Sequence, residues 1–298
     1  MKRVFSLSAG GMKISRIRRV TLVGIFVNIF LALLKIILGI FANSQALVAD
    51  GFHSLGDLFT DFAVIFGVKY WSMPADENHP YGHGKMETFT TLFIGLVLIM
   101  ISFFIAYNAA VTIAAFRRKP GLAAFLAAAV SVVVKEFLYR WTLKKNSVLK
   151  SPALAANAWH HRSDALSSLP VAAAILAASI NPAWQILDNL GAFAVSIFIF
   201  YSALKIIKPN LLEFTDASAS KEERERISEI LESTEGVKSI HKLRTRKVSN
   251  GIFLDVHIQV NPEISVRQGH DISNRAKASL FEKGGNILDV IIHIEPYE

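Results

Sequence analysis

The first two thirds of the chain consist of long apolar runs broken by Gly, Pro and polar clusters. Six runs approach the ~20 residues an α-helix needs to cross a bilayer: Val20–Phe41, Ala46–Trp71, Phe89–Phe116, Leu122–Trp141, Ala153–Ser179 and Ala183–Ile207. Pro74, Pro80, Pro120, Pro152 and Pro182 punctuate the gaps. The links after the first run (Asn43 to Gln45) and after the fifth (around Asn181 and Pro182) are so short that each joined pair must be an antiparallel helical hairpin. After about residue 209 the pattern changes. SKEERERISEILES at 220–233 reads as an amphipathic helix, with Ser220 as N-cap and Glu223 at the capping-box position. Ser239–Val248 reads as a strand and Asn250-Gly251 as a turn. Ile252–Val260 alternates, with Leu254, Val256, Ile258 and Val260 on one face and Asp255, His257 and Gln259 on the other. A second helix follows over about Val266–Glu282, closed by Gly284 and Gly285, and Leu288–Glu295 is the last strand. The order αββαβ predicts a small ferredoxin-like α+β domain. The expectation is a membrane α-helical domain of six transmembrane helices over residues 1–209, followed by that α+β domain over residues 210–298.

Composition agrees. Of 298 residues 52% are hydrophobic and 19% charged, with a mean hydropathy of +0.39, against about 25% charged in soluble domains. An ordinary soluble protein and a disordered chain are both excluded. Cysteine is absent, which removes disulfide frameworks, thiolate nucleophiles and Cys-type zinc sites. Any metal site must be built from His, Asp and Glu. The formal charge of +8 reports orientation and contact with anionic lipid. No basic-aromatic stripe favours nucleic acid, and MKRVFSLSAGGMKISRIRR lacks the apolar run of a secretory signal. Lys2, Arg3, Lys13, Arg16, Arg18 and Arg19 precede the first span, and Arg140, Lys144, Lys145 and Lys150 surround the link from the fourth span to the fifth. Both groups belong on the cytoplasmic side, together with the termini and the link Ser72–Thr88. Arg117, Arg118 and Lys119 fall on the opposite side, against the bias of the other segments.

Ionisable residues inside the spans carry the chemistry, because each is costly there unless it serves a pathway or a partner. His53 and Asp57 lie four apart in ALVADGFHSLGDLFTDF and share one helix face, with Asp50 and Asp61 on nearly the same face. His160 and Asp164 repeat the spacing in ANAWHHRSDALSS, while His161 points elsewhere and is not expected to be a ligand. At about 1.5 Å per residue, both pairs fall near the midplane of a core about 30 Å thick. Two imidazoles and two carboxylates at one depth suit a divalent cation, tetrahedral zinc in particular. Lys35, in the first span, needs an anionic partner, with Asp50 and Asp61 as candidates. Asp76, His79 and His83 form a further possible metal group in the Pro/Gly-rich link MPADENHPYGHGKME. In the C-terminal domain His257 and His293 lie on the non-core faces of their strands beside Asp255 and Glu295, and His241 and His270 can join them. A solvated sheet face is the plain alternative there.

These stretches together resemble the cation diffusion facilitator family of divalent-metal transporters over nearly the whole chain. The likeness is carried by KIILGIFANSQALVADGFHSLGD, PADENHPYGHGKMET, WHHRSDALSS and HKLRTRKVSNGIFLDVHIQV, in this order. It implies a homodimeric metal/proton antiporter, not an enzyme, with inward- and outward-facing states and no prosthetic group. It implies a transport site at His53, Asp57, His160 and Asp164, a loop site at Asp76, His79 and His83, and a cytoplasmic site at the dimer interface from His241, His257, His270, His293 and Glu295. It also implies a charge interlock between Lys85 and Glu213 near the membrane surface at the dimer interface. Histidine at position 53 leans towards Zn2+ as substrate and regulator, with Mn2+, Fe2+, Cd2+ and Co2+ as other candidates. The implied setting is the cell inner or plasma membrane, with metal efflux as the function. A membrane-anchored metal sensor or scaffold is the rival reading, opposed by the midplane carboxylates. A metallohydrolase is opposed by the lack of HExxH and of an open zinc position.

Overall fold

The computed structural model describes residues 2–114, 119–149, 151–249 and 251–298, without the side chains of 2–15, 60, 61, 64–66, 114, 152, 153 and 182. Asp61, Arg117, Arg118, Lys150 and Asn250 therefore lie outside what is described. Six long helices come first: α1 (Lys2–Phe41), α2 (Gln45–Trp71), α3 (Lys85–Ala114), α4 (Leu122–Leu149), α5 (Pro152–Ile180) and α6 (Ile186–Phe214). Then follow α7 (Lys221–Glu232), β1 (Ser239–Val248), β2 (Gly251–Val260), α8 (Val266–Lys283) and β3 (Ile287–Pro296). Most of the long helices outrun their apolar stretches. α4 continues through Lys144 and Lys145, and α6 passes Pro209 to reach Phe214, since backbone hydrogen bonding does not stop where hydrocarbon does.

Among the described residues, five of these helices are long and apolar enough to cross a membrane: Arg16–Phe41, Lys85–Ile113, Leu122–Leu149, Leu154–Ile180 and Ile186–Phe214. α2 is the sixth, 27 residues long and carrying Asp50, Asp57 and Asp61. Large apolar side chains such as Phe26, Met100, Phe104 and Phe137 point outward, as suits a surface whose solvent is lipid. The chain divides into two compact units, Met1–Phe62 with Ile94–Leu204, and Ala63–Phe93 with Lys205–Glu298. The second unit thus takes in a segment that the sequence boundary at 209/210 leaves in the membrane half.

Within the first unit, small residues let helices approach. Ala124, Ala127, Ala128 and Ser131 of α4 are buried, as are Ala158, Ala165, Ser168 and Ala172 of α5, and the two helices pack along each other as small-residue faces do in membranes. The α1–α2 hairpin closes through Asn43, whose φ of 55° is left-handed, while Ser44 N bonds Gly39 O at 2.8 Å. A Cβ on Gly51 would lie 2.6 Å from Ile36 Cγ1, so only glycine permits that approach. Asp188 of α6 caps α2: its carboxylate accepts from Ser44 Oγ and from Gln45 N, both at 2.6 Å. Lys35 of α1, wholly buried, meets Asp50 of α2 at 2.7 Å. Ser168 of α5 donates to Asp50 Oδ1 at 3.0 Å, and Lys35 Nζ donates to Ser54 Oγ at 3.4 Å. One ion pair with two hydroxyls thus ties three helices.

The C-terminal elements form a three-stranded sheet ordered β1-β2-β3, antiparallel between β1 and β2 and parallel between β2 and β3. Leu254, Val256 and Ile258 of β2 pack with Ile227 and Leu231 of α7 and Ala276 and Leu280 of α8 in the core. The other sheet face carries Asp255, His257, His293 and Glu295, with Phe253 and exposed Ile291 among them, in the ferredoxin-like arrangement expected. Ser220 caps α7 with Glu223 completing the box. Ser265 and Gln268 repeat the device on α8.

Removing one member of the Lys35–Asp50 pair strands a buried charge, at a cost of about 3–5 kcal/mol. Lys35→Met should lower the unfolding temperature of the detergent-solubilised protein sharply. Lys35→Met combined with Asp50→Leu should recover most of the loss; a double variant as unstable as the single would deny that the pair is compensated charge.

Candidate metal centres

The first centre is assembled by α2 and α5. Ser151 caps α5, its Oγ accepting from Leu154 N at 3.4 Å, and the helix carries its acidic and imidazole groups inward from there. Ligand atoms of Asp57, His160 and Asp164 lie within 4.8 Å of one another. His53 Nε2 is 3.9 Å from Asp57 Oδ2, and His160 Nδ1 is 3.7 Å from Asp164 Oδ1. Both gaps exceed a hydrogen bond, and a small cation between these groups would draw them together. Phe198 stands edge-on against the His53 ring at 5.2 Å, and that side chain is largely sheltered. His161, by contrast, is 1% exposed and faces α1, where a Cβ on Gly24 would lie 3.1 Å from its Nε2.

Sequence reading passed over Lys135 of α4. It is buried on the face of α4 lined by Ala124, Ala127, Ala128 and Ser131, and its Nζ donates to Asp164 Oδ2 at 3.0 Å. The signal was present, since a lysine inside the fourth apolar run meets the same rule that singled out Lys35.

The second centre lies in the link between α2 and α3. Asp76 Oδ1 accepts from His79 N at 2.7 Å and Asn78 N at 3.0 Å, and these backbone donors, His79 first, hold its carboxyl below the usual range. His79 Nδ1 sits 3.3 Å from Asp76 Oδ1, and His83 Nε2 3.6 Å from Oδ2. Ligand atoms of the three lie within 4.8 Å of one another. His83 is buried and its Nδ1 finds no partner among the described residues.

The third centre is a product of strand register. His241 pairs with His257 across β1 and β2, and His257 with His293 across β2 and β3. One row of three imidazoles therefore crosses the sheet face opposite the helices. A bulge in β1 between His241 and Arg244, with Lys242 at φ 50°, separates that pairing from the rest of the strand. Glu295, two residues beyond His293, lies 2.7 Å from both His241 Nε2 and His257 Nδ1 and 3.6 Å from His293 Nε2. The hydrogen bond from His257, followed by that from His241, holds its carboxyl below the ordinary value of 4.5. His241, His257 and Glu295 bring ligand atoms within 4.8 Å of one another. His270 is exposed on α8 and stands outside this cluster.

Lys85 and Glu213 do not pair within the chain. Lys85 Nζ bonds Asp216 Oδ1 at 3.0 Å, because the left-handed turn at Asp216 (φ 55°) brings that nearer carboxylate round at the end of α6. Glu213 accepts instead from Ser249 N at 2.6 Å and from the Thr88 hydroxyl, and Ser249 Oγ donates to Glu87 at 2.6 Å.

Residues 21–215 match the family model for the cation efflux transmembrane domain, and residues 219–297 match that for the cation efflux protein cytoplasmic domain. The manganese efflux system protein MneP of Bacillus subtilis (strain 168) is 29% identical over 285 residues, covering 94% of this chain and 96% of that protein. Magnetosome protein MamB of Magnetospirillum gryphiswaldense is 29% identical over 270 residues, covering 90% of each. A solved nickel form of a MamM CTD variant is 30% identical and covers 26% of this chain and 100% of its own, with a TM-score of 0.26.

If the imidazole row is a metal centre, His257 is its middle member. His257→Ala should weaken zinc binding by the C-terminal cluster about tenfold or more, measured by chelator competition on the full chain. Unchanged affinity would mark the row as a solvated face.

Proposed function

Because the chain belongs to the cation efflux family of membrane metal transporters, we propose that it exports a divalent cation, zinc by preference, in exchange for protons, working as a homodimer by alternating access. Family members are transporters rather than enzymes, and this chain is a multi-pass membrane protein that effluxes metal cations. The observation that carries the finer reading is the meeting of Asp57, His160 and Asp164 on two membrane helices, with His53 beside them. Two carboxylates neutralise a dication, and two imidazoles with two carboxylates form a donor set suited to zinc.

The cycle follows from that donor set. A hydrated ion enters from the cytoplasm and exchanges water for His53, Asp57, His160 and Asp164. Ligation requires neutral imidazole and ionised carboxylate, so loading releases protons. Protons from outside then displace the ion, with the histidines as carriers near neutral pH. Metal and protons shift the balance between two helix packings through their different affinities for each. The chain sits in the plasma or inner membrane with both termini in the cytoplasm. Asp76, His79 and His83 hold a second ion in the link after α2. The row of His241, His257 and His293 with Glu295 holds regulatory metal that draws two protomers together. His270, outside the chain's own cluster, supplies a ligand to the cluster of the second copy.

Manganese is the second reading, favoured by the name of MneP. Flux into proteoliposomes under an imposed pH gradient, zinc and manganese in parallel, separates the two. The expected result is gradient-dependent zinc uptake that Asp57→Ala abolishes. Uptake of manganese alone keeps the mechanism and changes the substrate. No uptake of either ion, by protein that still binds metal through its C-terminal domain, would instead support a metal sensor.

A further inference from the structure

The transport reading leaves one buried charge without a task. Lys135 is 2% exposed, deep in α4, and the carboxylate it bonds is Asp164, a member of the Asp57–His160–Asp164 cluster. Lys35 provides the contrast. Its carboxylate, Asp50, stands outside the cluster and is further satisfied by Ser168, so that pair ties helices and nothing more. A purely structural lysine on α4 gains no advantage from a ligand carboxylate. The two oxygens of Asp164 are divided: Oδ2 takes Lys135 at 3.0 Å, and Oδ1 faces His160 at 3.7 Å.

We propose that Lys135 is a tethered cation that sets how tightly the transport site holds its metal. The proposal rests on the reading of Asp57, His160 and Asp164 as that site. The ammonium pins one oxygen of Asp164, which leaves the other to ligate, and its like charge repels the bound dication. The formal charges show the consequence. Ionised Asp57 and Asp164 cancel a dication by themselves, so with Lys135 the loaded site carries one positive charge in excess. A unit charge a few ångströms from a dication shifts its dissociation constant by well over tenfold even at an effective dielectric of about 20. An exporter must release what it binds, and this charge opposes retention. Lys135 positions a ligand and tunes the site's field; it does not itself coordinate metal.

The test measures zinc affinity of the full chain in nanodiscs by chelator competition. The component lost in Asp57→Ala is taken as the transport site. Lys135→Met should tighten that component about tenfold or more. In proteoliposomes it should lower the KM for zinc and slow turnover together, a split that a merely structural defect does not produce. Lys135→Gln keeps a hydrogen-bond donor to Asp164 without the charge and should behave the same way, so the test survives if the Met variant misfolds. Lys135→Arg, which keeps the charge, should stay near wild type. An Asp57-dependent component whose affinity is unchanged or weaker in the neutral variants overturns the proposal alone. Absence of any Asp57-dependent component in wild type overturns the site reading and this proposal with it.

Discussion

Uncompensated charge in hydrocarbon is the constraint on which the membrane half depends. Three carboxylates described there are each answered by a particular group. Asp50 has Lys35 and Ser168, Asp188 has Ser44 and the N-terminus of α2, and Asp164 has Lys135. These pairings also set the packing: Ser168 with Asp50 and Asp188 with Ser44 join helices distant in sequence, while Lys35–Asp50 and Lys135–Asp164 join consecutive ones. Asp57 differs. Its neighbours are imidazoles, which carry charge only when protonated, so its compensation depends on what else is present. A centre whose net charge changes with every cation or proton it takes up is suited to moving them.

The C-terminal domain reaches its metal geometry by another route. Strand register rather than helix periodicity lines up His241, His257 and His293, and Glu295 reaches back from β3 to two of them. The same alternation that buries Leu254, Val256 and Ile258 under the two helices puts His257 on the opposite face. Core and site are thus two faces of one pattern.

Much of this was legible in the chain. The i, i+4 pairs His53–Asp57 and His160–Asp164 follow from helical period alone, the Ser220–Glu223 box from capping chemistry, and the outward His257 from period-two alternation. Lys35 with Asp50 was one of two possible pairs, and only the hairpin geometry chooses between them. Lys135 was visible as a lysine inside the fourth apolar run, but its partner lies 29 residues away on another helix, where no local spacing points. Within one chain Lys85 reaches Asp216, brought round by a backbone turn with positive φ that residue type does not announce. His270 lies exposed on α8, outside the cluster that strand register assembles.

The central claim is that α2 and α5 together hold the ion. It is tested most directly by zinc K-edge absorption on the full-length protein carrying Asp76→Ala and His257→Ala, so that the remaining metal reports the membrane centre. The account predicts about four nitrogen and oxygen ligands at roughly 2.0–2.1 Å with imidazole scattering, and loss of that signal when Asp57→Ala or Asp164→Ala is added. A spectrum unaltered by both substitutions would contradict it.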